Sequence, residues 1–343
     1  QKGNPESPNN IGARCAKGMA SWYVSQDPDR LTHPLLRTNP KGEHGEFKQI
    51  SWDEAFQFIA DKLKHIADEW GPEAVALTCH HDPNTVFYHH LLKDLYGSPN
   101  MYAHTSGCEQ DRRSACLTLF GHVFPMHDFA NSKYVMLWGM NNLGANQGLW
   151  ESRDLIEAQS KGCRLVVVDP NFTETAQKAD EWVPIRPGTD GAMALAMCRV
   201  IIDEKLYDEE FVTKYCEGFN GFRDHLNEKG YTPAWAEEIC GIEAETIARL
   251  AREFATSKPA MSAIFKGSGY YTNGHDAARA CYILDAICGE VDKPGNINLK
   301  DWAPLGTPVE IPEGAICTPE KDPLHVAMGY PLAPDLPNSK LPD

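Results

Sequence analysis

The chain has 343 residues, 42% of them apolar, and its 48 acidic against 32 basic side chains leave a formal net charge of −16. That length supports about two or three domains with real cores, and the negative charge repels phosphate backbones, which argues against nucleic acid as a partner. No stretch approaches the roughly 20 uninterrupted apolar residues of a membrane helix, and the opening QKGNPESPNN has no signal-peptide apolar core, so the sequence reads as soluble with no direct membrane span.

Near the start, "ARCAKG" sets Cys15 two residues before Lys17. From Ser51, "SWDEAFQFIADKLKHIADEWG" places Ala55, Phe56, Ile59, Leu63, Ile66, Ala67 and Trp70 at helical spacing. Ser51 and Glu54 form a capping box, and Gly71-Pro72 stops the helix. "AVALTCH" then predicts a buried strand, "TVFYHHLLKDLYG" a helix and "GSPN" a turn. The alternation resumes with strand "KYVMLWG", helix "LWESRDLIEAQSKG", strand "RLVVVDP" and a long helix from about Asp190 to Glu204. Two more helices fall within "TPAWAEEICGIEAETIARLAREFA", followed by strand "AMSAIFKGS" and helix "DAARACYILDAICG". Continuous apolar strands alternating with helices predict an α/β fold of two doubly wound parallel-sheet units. Expected boundaries are an opening segment 1–37, a first α/β unit 38–125, a second 126–298, and an irregular Pro-rich tail 299–343.

The strand ends carry the first chemical signal. "MNNLGANQG" follows one strand and "PNFTETAQKAD" another, putting Asn, Thr, Asp and Gly where open α/β sheets bind ligands, with a nucleotide as the natural guest. Gly139, Gly144 and Gly148 permit close backbone approach, but their spacing is not GxGxxG, so a plain turn is equally open. In "PIRPGTDGAM", Arg186, Gly188, Thr189 and Asp190 at a helix start form either an anion seat or a capped helix with a salt bridge. In "HTSGCEQDRRSAC", Cys108 follows a glycine at an apparent helix start, where the dipole favours thiolate. A nucleophile, a metal ligand and an inert buried thiol are all open there, whereas Cys116 reads as core. His80, His81, His89 and His90 match no zinc spacing, and neither a GxSxG elbow nor a P-loop is present. Eleven cysteines without a CxxC pair read as reduced or ligating thiols rather than a disulfide framework.

Taken in order, "CAKG", "DPDRLTHPLLR", "GEFKQISWDEA", "YVMLWGMNN", "LVVVDPNFTETAQKAD", "PIRPGTDGAM" and "GEVDKPGNI" resemble the catalytic subunits of the dimethyl sulfoxide reductase family of molybdopterin oxidoreductases. The resemblance covers nearly the whole chain up to about Asn298. It implies that Cys15 is the last of four ligands to a [4Fe–4S] cluster, with Lys17 as conduit between cluster and pterin. The other three ligands are expected upstream of Gln1, and further pterin-domain and β-barrel segments beyond the last residue, so the chain reads as a truncated fragment.

The family binds molybdenum or tungsten through two molybdopterin guanine dinucleotides. Matching positions set one nucleotide against Asn141, Asn142, Asn146, Asp169, Thr173, Asp180, Arg186, Gly188 and Asp190. Asn171 departs from the arginine that many relatives carry after Asp-Pro. Cys108 falls at the metal-ligand position, and a soft thiolate suits a metal already bound by dithiolene sulfur. His104, Glu109, Gln110, Asp111 and Arg112 are substrate or supporting contacts or else helix-surface residues, and Glu109 stands where formate dehydrogenases tend to carry histidine. The implied activity is two-electron redox on a small-molecule substrate, with a ferredoxin-like iron–sulfur subunit as electron-transfer partner. A tungsten hydratase resembling acetylene hydratase and a metal-free scaffold subunit are the alternatives, and the compartment is cytoplasmic or periplasmic.

Overall fold

Ser51 shows how far local signals carry this chain. In the computed structural model its hydroxyl accepts from the Glu54 N–H at 3.1 Å and the Glu54 carboxylate accepts from the Ser51 N–H at 2.7 Å, the expected capping box. The structure describes residues 2–7, 12–80, 88, 90–103, 108–123, 125–145 and 149–299. These fall into two compact units, one within 16–107 and one combining 2–15 with residues from 108 onward.

The first unit opens with α1 (Ala16–Ser25) and an antiparallel pair, β1 (Leu35–Arg37) and β2 (Phe47–Gln49). The capped helix is α2 (Trp52–Trp70), ended by Gly71 at φ 85°. β3 (Ala76–Cys79) and β4 (Asn100–Ala103) then pair in parallel, Ala76 opposite Asn100. The Asn100 amide donates to the Glu73 carbonyl at 2.7 Å and helps fix that register. Two expectations change here. β3 alternates between exposed and half-buried positions instead of being buried, and α2 has no buried residue, with Phe56 61% and Ile59 53% exposed. Both elements follow their local patterns, a cap with helical spacing and a β-rich run, but the unit's described residues do not cover them. His90–Tyr96 winds as a π-helix rather than an α-helix, and 85–87 and His89 lie outside the described residues.

In the second unit, α3 (Gln110–Phe120) and β5 (Met126–His127) lead to β6 (Tyr134–Trp138), α4 (Asn142–Ala145), α5 (Leu149–Ser160) and β7 (Arg164–Val168). α6 (Glu174–Lys178), β8 (Glu181–Val183) and the long α7 (Asp190–Asp203) come next. Four helices, α8 (Glu209–Tyr215), α9 (Phe219–Lys229), α10 (Pro233–Cys240) and α11 (Ala244–Thr256), precede β9 (Ala260–Ile264). α12 (Lys266–Gly269), α13 (Gly274–Cys288) and β10 (Ile297–Asn298) close the described unit, β10 pairing antiparallel with β5. Four parallel strands form one sheet in the order β8-β7-β6-β9.

Every residue of β6 and β9 is buried, as a parallel strand covered on both faces requires. α7 packs against α10, α11 and α13, and α13 also lies on β9. The outer edge of β9 is closed by side chains: Asp285 accepts from Ser262 N–H at 2.8 Å, Glu290 from Ala260 N–H at 3.1 Å, and Asn296 donates to the Ala260 carbonyl at 3.0 Å. Open edge groups are thereby paired without a fifth strand. None of the ten described cysteines is in a disulfide, and no described helix is long and apolar enough to cross a membrane.

β7 and β8 are added on one side of β6 and β9 on the other, all parallel, which makes the gap above β6 and β9 a topological switch point. Gly139 leaves β6 at φ 55°, and its carbonyl accepts from Gly267 N–H at 3.0 Å. A Cβ at Gly139 would lie 2.5 Å from Ser268 N and 2.7 Å from Gly267 Cα. Gly139→Ala is therefore expected to destabilise this unit by about 3 kcal/mol, from left-handed strain and backbone overlap together. Chemical denaturation of the variant beside the parent checks this; an unchanged midpoint would mean the two backbones are not in contact.

Candidate cofactor and metal site

The crevice floor is made where β6 and β9 part. Trp138 O accepts from Phe265 N–H at 3.2 Å and from the Ser268 hydroxyl at 3.1 Å. Next to it, Asn141 is committed to the protein itself. Its Oδ1 accepts from the Thr175 hydroxyl at 2.7 Å and N–H at 3.2 Å, and its Nδ2 donates to Glu174 at 2.9 Å, which ties the loop after β6 to α6. Asn142 is buried, and its Oδ1 has no hydrogen-bond partner among the described residues. A buried acceptor of that kind costs about 1–3 kcal/mol unless something satisfies it.

Asp169, at the end of β7, is also buried and accepts from Asn171 N–H at 2.8 Å; burial pushes its carboxyl pKa up. Thr173 caps α6 by accepting from Ala176 N–H at 3.1 Å. Asp180 does not join this group, since it accepts from Leu165 N–H at 2.7 Å at the amino end of β7. Asn146 and His104 lie outside the described residues.

The turn "RPGTD" completes the rim. The Arg186 guanidinium donates to the Glu238 and Ile239 carbonyls at 2.8 and 3.2 Å, so it neutralises the carboxyl end of α10. Gly188 has φ 76°, and a Cβ there would sit 3.1 Å from the Tyr271 ring. Its carbonyl accepts from Asn273 Nδ2 at 3.0 Å. Asp190, the first residue of α7, is 4% exposed. Burial pushes its pKa up to about 6, against its own N–H and with help from the Asp169 charge. Two buried carboxyl groups near one another suit a guest that offers N–H or O–H donors, while the glycine turns admit a phosphate close to the backbone.

Cys108 lies half-buried two residues before α3. The Glu109 carboxylate accepts from Arg112 Nη2 at 2.6 Å and from Arg113 Nη2 at 2.6 Å and Nε at 3.0 Å. Burial alone would raise its pKa, but the two guanidinium groups outweigh that and hold it below the usual carboxylate range. Arg112 is itself buried, its guanidinium 4.8 Å from the centre of the Phe265 ring. Burial raises the Asp111 pKa, and its carboxylate presses on Gly269 where a Cβ would stand. The Ser114 hydroxyl and His275 Nδ1 are 2.8 Å apart. Cys116 is fully buried with its thiol pushed up to about 12, in keeping with a core residue.

The sequence reading missed Tyr271, whose ring lies against the Gly188 turn at the crevice rim. The signal was present in "GSGYYTNG", glycines bracketing two aromatics between a buried strand and a helix. Among the described residues no group of three or more His, Cys, Asp or Glu is arranged to hold a metal. A metal at Cys108 would thus have to bring other ligands with it. Cys15 is half-buried and belongs to the second unit, whereas Lys17 is exposed on α1 of the first.

A parallel four-stranded sheet covered by helices, with a crevice at its switch point and a thiol just before a helix, defines the class, an α/β domain of the ligand-binding kind. Residues 30–316 match the family model for molybdopterin oxidoreductase, and the chain belongs to that family. It is 35% identical over 300 residues to the molybdopterin-containing subunit of thiosulfate reductase from Salmonella typhimurium, covering 87% of this chain and 39% of that one. Acetylene hydratase from Syntrophotalea acetylenica is 34% identical over 82% of this chain and 38% of its own length. The dimethyl sulfoxide reductase DmsA of Escherichia coli is 32% identical over 81% and 38%. The solved structure of acetylene hydratase from Pelobacter acetylenicus superposes with a TM-score of 0.74 at 33% identity, over 82% of this chain and 39% of that one. The chain therefore spans about two fifths of the length of these relatives.

Because the fold raises the Asp190 pKa from 3.8 to about 6, it favours the protonated form. The stabilisation this gives is full below pH 4 and is lost as pH rises through 6, a difference of about 3 kcal/mol. Asp190→Asn is expected to melt above the parent at pH 8, with the gap closing towards pH 4. Thermal melts across that range check it, and parallel curves would rule out a buried titrating carboxyl.

Proposed function

We propose that this chain is the catalytic part of a molybdenum or tungsten oxidoreductase that holds a bis(molybdopterin guanine dinucleotide) cofactor and acts on a small substrate. The observation that carries the reading is the placement of Cys108 and the switch-point crevice in one compact unit. The residues fit a nucleotide cofactor. The Asn142 acceptor is buried and unsatisfied among the described residues, the Gly139–Gly267 backbone contact fixes the crevice floor, and Asp169 and Asp190 offer buried acceptors. When bound, the metal and its dithiolenes supply two-electron chemistry and a [4Fe–4S] cluster supplies single-electron exchange.

The chain's own part is to bind and orient. Cys108 offers a thiolate to the metal, and Glu109 holds Arg112 and Arg113 in place beside it. Arg112, kept over Phe265, and Glu109 fix the polarity next to the thiol, where an anionic or oxygen-bearing substrate would be steered. His104 stands in this reading as a substrate contact. Asn141 and Thr173 shape the loops of the crevice, while Asn142, Asp169, Gly188 and Asp190 line the proposed nucleotide seat; Asn146 and Arg186 are assigned to it by the resemblance alone. Asp180 supports β7 from the opposite end of the strand. Cys15 is assigned to the cluster and Lys17 to the conduit, with a ferredoxin-like iron–sulfur subunit as the electron-transfer partner.

A second reading, hydration of an unsaturated bond without net redox change, is favoured by the resemblance to acetylene hydratase in both sequence and structure. Dye-linked turnover of sulfur and oxo-anion substrates, set beside hydration of acetylene without an electron acceptor, separates the two. For either, Cys108→Ala is expected to lower molybdenum or tungsten per chain and turnover by at least the roughly 10–100-fold that loss of a supporting contact costs. Elemental mass spectrometry on anaerobically purified protein checks it. Unchanged metal content and turnover would remove Cys108 from the site and leave the scaffold reading.

A further inference from the structure

Asp285, on α13, is fully buried beside the outer edge of β9. One of its carboxyl oxygens accepts from Ser262 N–H at 2.8 Å, and the other has no hydrogen-bond partner among the described residues. Glu290 lies on the same edge, accepting from Ala260 N–H at 3.1 Å, and its own N–H donates to the Asp285 carbonyl at 2.8 Å. The Lys258 ammonium faces Glu290 at 3.5 Å and Asp208 at 3.8 Å, and donates to the Cys288 carbonyl at 2.6 Å. Among the described residues Asp285 is in no ion pair. Its remaining titratable neighbours are Cys198 on α7 and Cys281, Tyr282 and Cys288 on α13, each held neutral by burial; Tyr282 in turn faces Arg112 and Cys116 on α3. The ammonium thus already serves two carboxylates, and an ionised Asp285 would stand buried and uncompensated. Burial, with the Glu290 charge added, pushes its carboxyl well above the usual range.

Ser262 joins this acid to the crevice. Its N–H is held by Asp285, and its hydroxyl accepts from the Trp138 indole N–H on the neighbouring strand at 2.9 Å, all three residues being fully buried. Trp138 O is in turn the acceptor for Phe265 N–H and the Ser268 hydroxyl on the crevice floor. We propose that Asp285, as the neutral acid, is a positioning residue for the crevice: it fixes Ser262, which fixes Trp138 and the floor beyond it. What the floor seats rests on the function proposed above, whereas the link from Asp285 to Trp138 does not. A neutral acid suits this place because it accepts from the Ser262 N–H and needs no countercharge. The raised pKa sets the sign of the pH response: the stabilisation is full in acid and is lost as pH rises through the folded-state value.

The test compares Asp285→Asn, Asp285→Leu and Ser262→Ala in the anaerobically purified holoprotein labelled with 5-fluorotryptophan, the Trp138 fluorine resonance being assigned from Trp138→Phe. Pterin per chain and melting temperature are read beside it. Asparagine keeps a neutral acceptor, so Asp285→Asn is expected to retain the parental resonance and pterin content at pH 6 and to melt above the parent at pH 9. Leucine removes the acceptor, so Asp285→Leu is expected to shift the resonance and lower pterin about tenfold, the scale on which supporting contacts act. Should Asp285→Leu fail to fold, Ser262→Ala reads the same link through the loss of one hydroxyl, with the resonance shifted, pterin lowered and the pH dependence of melting retained. An Asn variant that behaves like the Leu variant, or whose melting gap to the parent does not widen with pH, would overturn the neutral acid. Unchanged resonances in Asp285→Leu and Ser262→Ala would overturn the link, and shifted resonances with parental pterin in both would overturn the positioning role. Parent protein without pterin, whose Trp138 resonance still responds to Asp285→Leu, would support the link and overturn the cofactor reading.

Discussion

Two glycine backbones in contact set the geometry of the second unit. Gly139 and Gly267 leave neighbouring parallel strands and meet at a hydrogen bond of 3.0 Å. At that distance neither position has room for a side chain, which is why the constraint is absolute rather than a preference. Because they touch, the strand ends cannot drift apart, the Trp138 carbonyl can take two donors, and the segment that follows must turn sharply towards α3. The crevice and the surroundings of Cys108 are both consequences of that one contact.

Charge is handled differently in the two parts of the site. Around Cys108, Glu109 is surrounded by guanidinium groups and remains ionised, so the burial of Arg112 is balanced by a partner at 2.6 Å. In the crevice, no cation among the described residues offsets the burial of Asp169 and Asp190, which favours their protonated forms. One end of the site thus offers fixed charge and the other offers acceptors whose charge depends on what binds.

Much of the second unit was legible because its signals are local. "YVMLW" and "RLVVV" are continuous apolar runs, and burial on both faces leaves such a run little choice but a central parallel strand. Thr173 and Asp190 fell where strand ends and helix starts place them. What was not legible depends on partners far along the chain. Asn141 looked like a ligand contact and spends its amide on Thr175 and Glu174, and Arg186 looked like an anion seat and caps α10. α8 and α9 went unread because Gly218 and Gly221 and a polar composition blur their period. Tyr271 was invisible for the same reason as Asp285: each acquires its role only when a second element arrives beside it.

The closure of β9 has a consequence for how this protein meets others. A parallel sheet with an open flank is a template onto which an extended peptide, or a strand from another copy, can be added. Here the donors of Ala260 and Ser262 are already taken by carboxylates from the same chain, and the Ala260 acceptor by Asn296. Along that flank the sheet has a fixed width. A recruited strand would have to displace two buried acids before gaining its first rung, so association by strand exchange is closed off there and left to surfaces made of side chains.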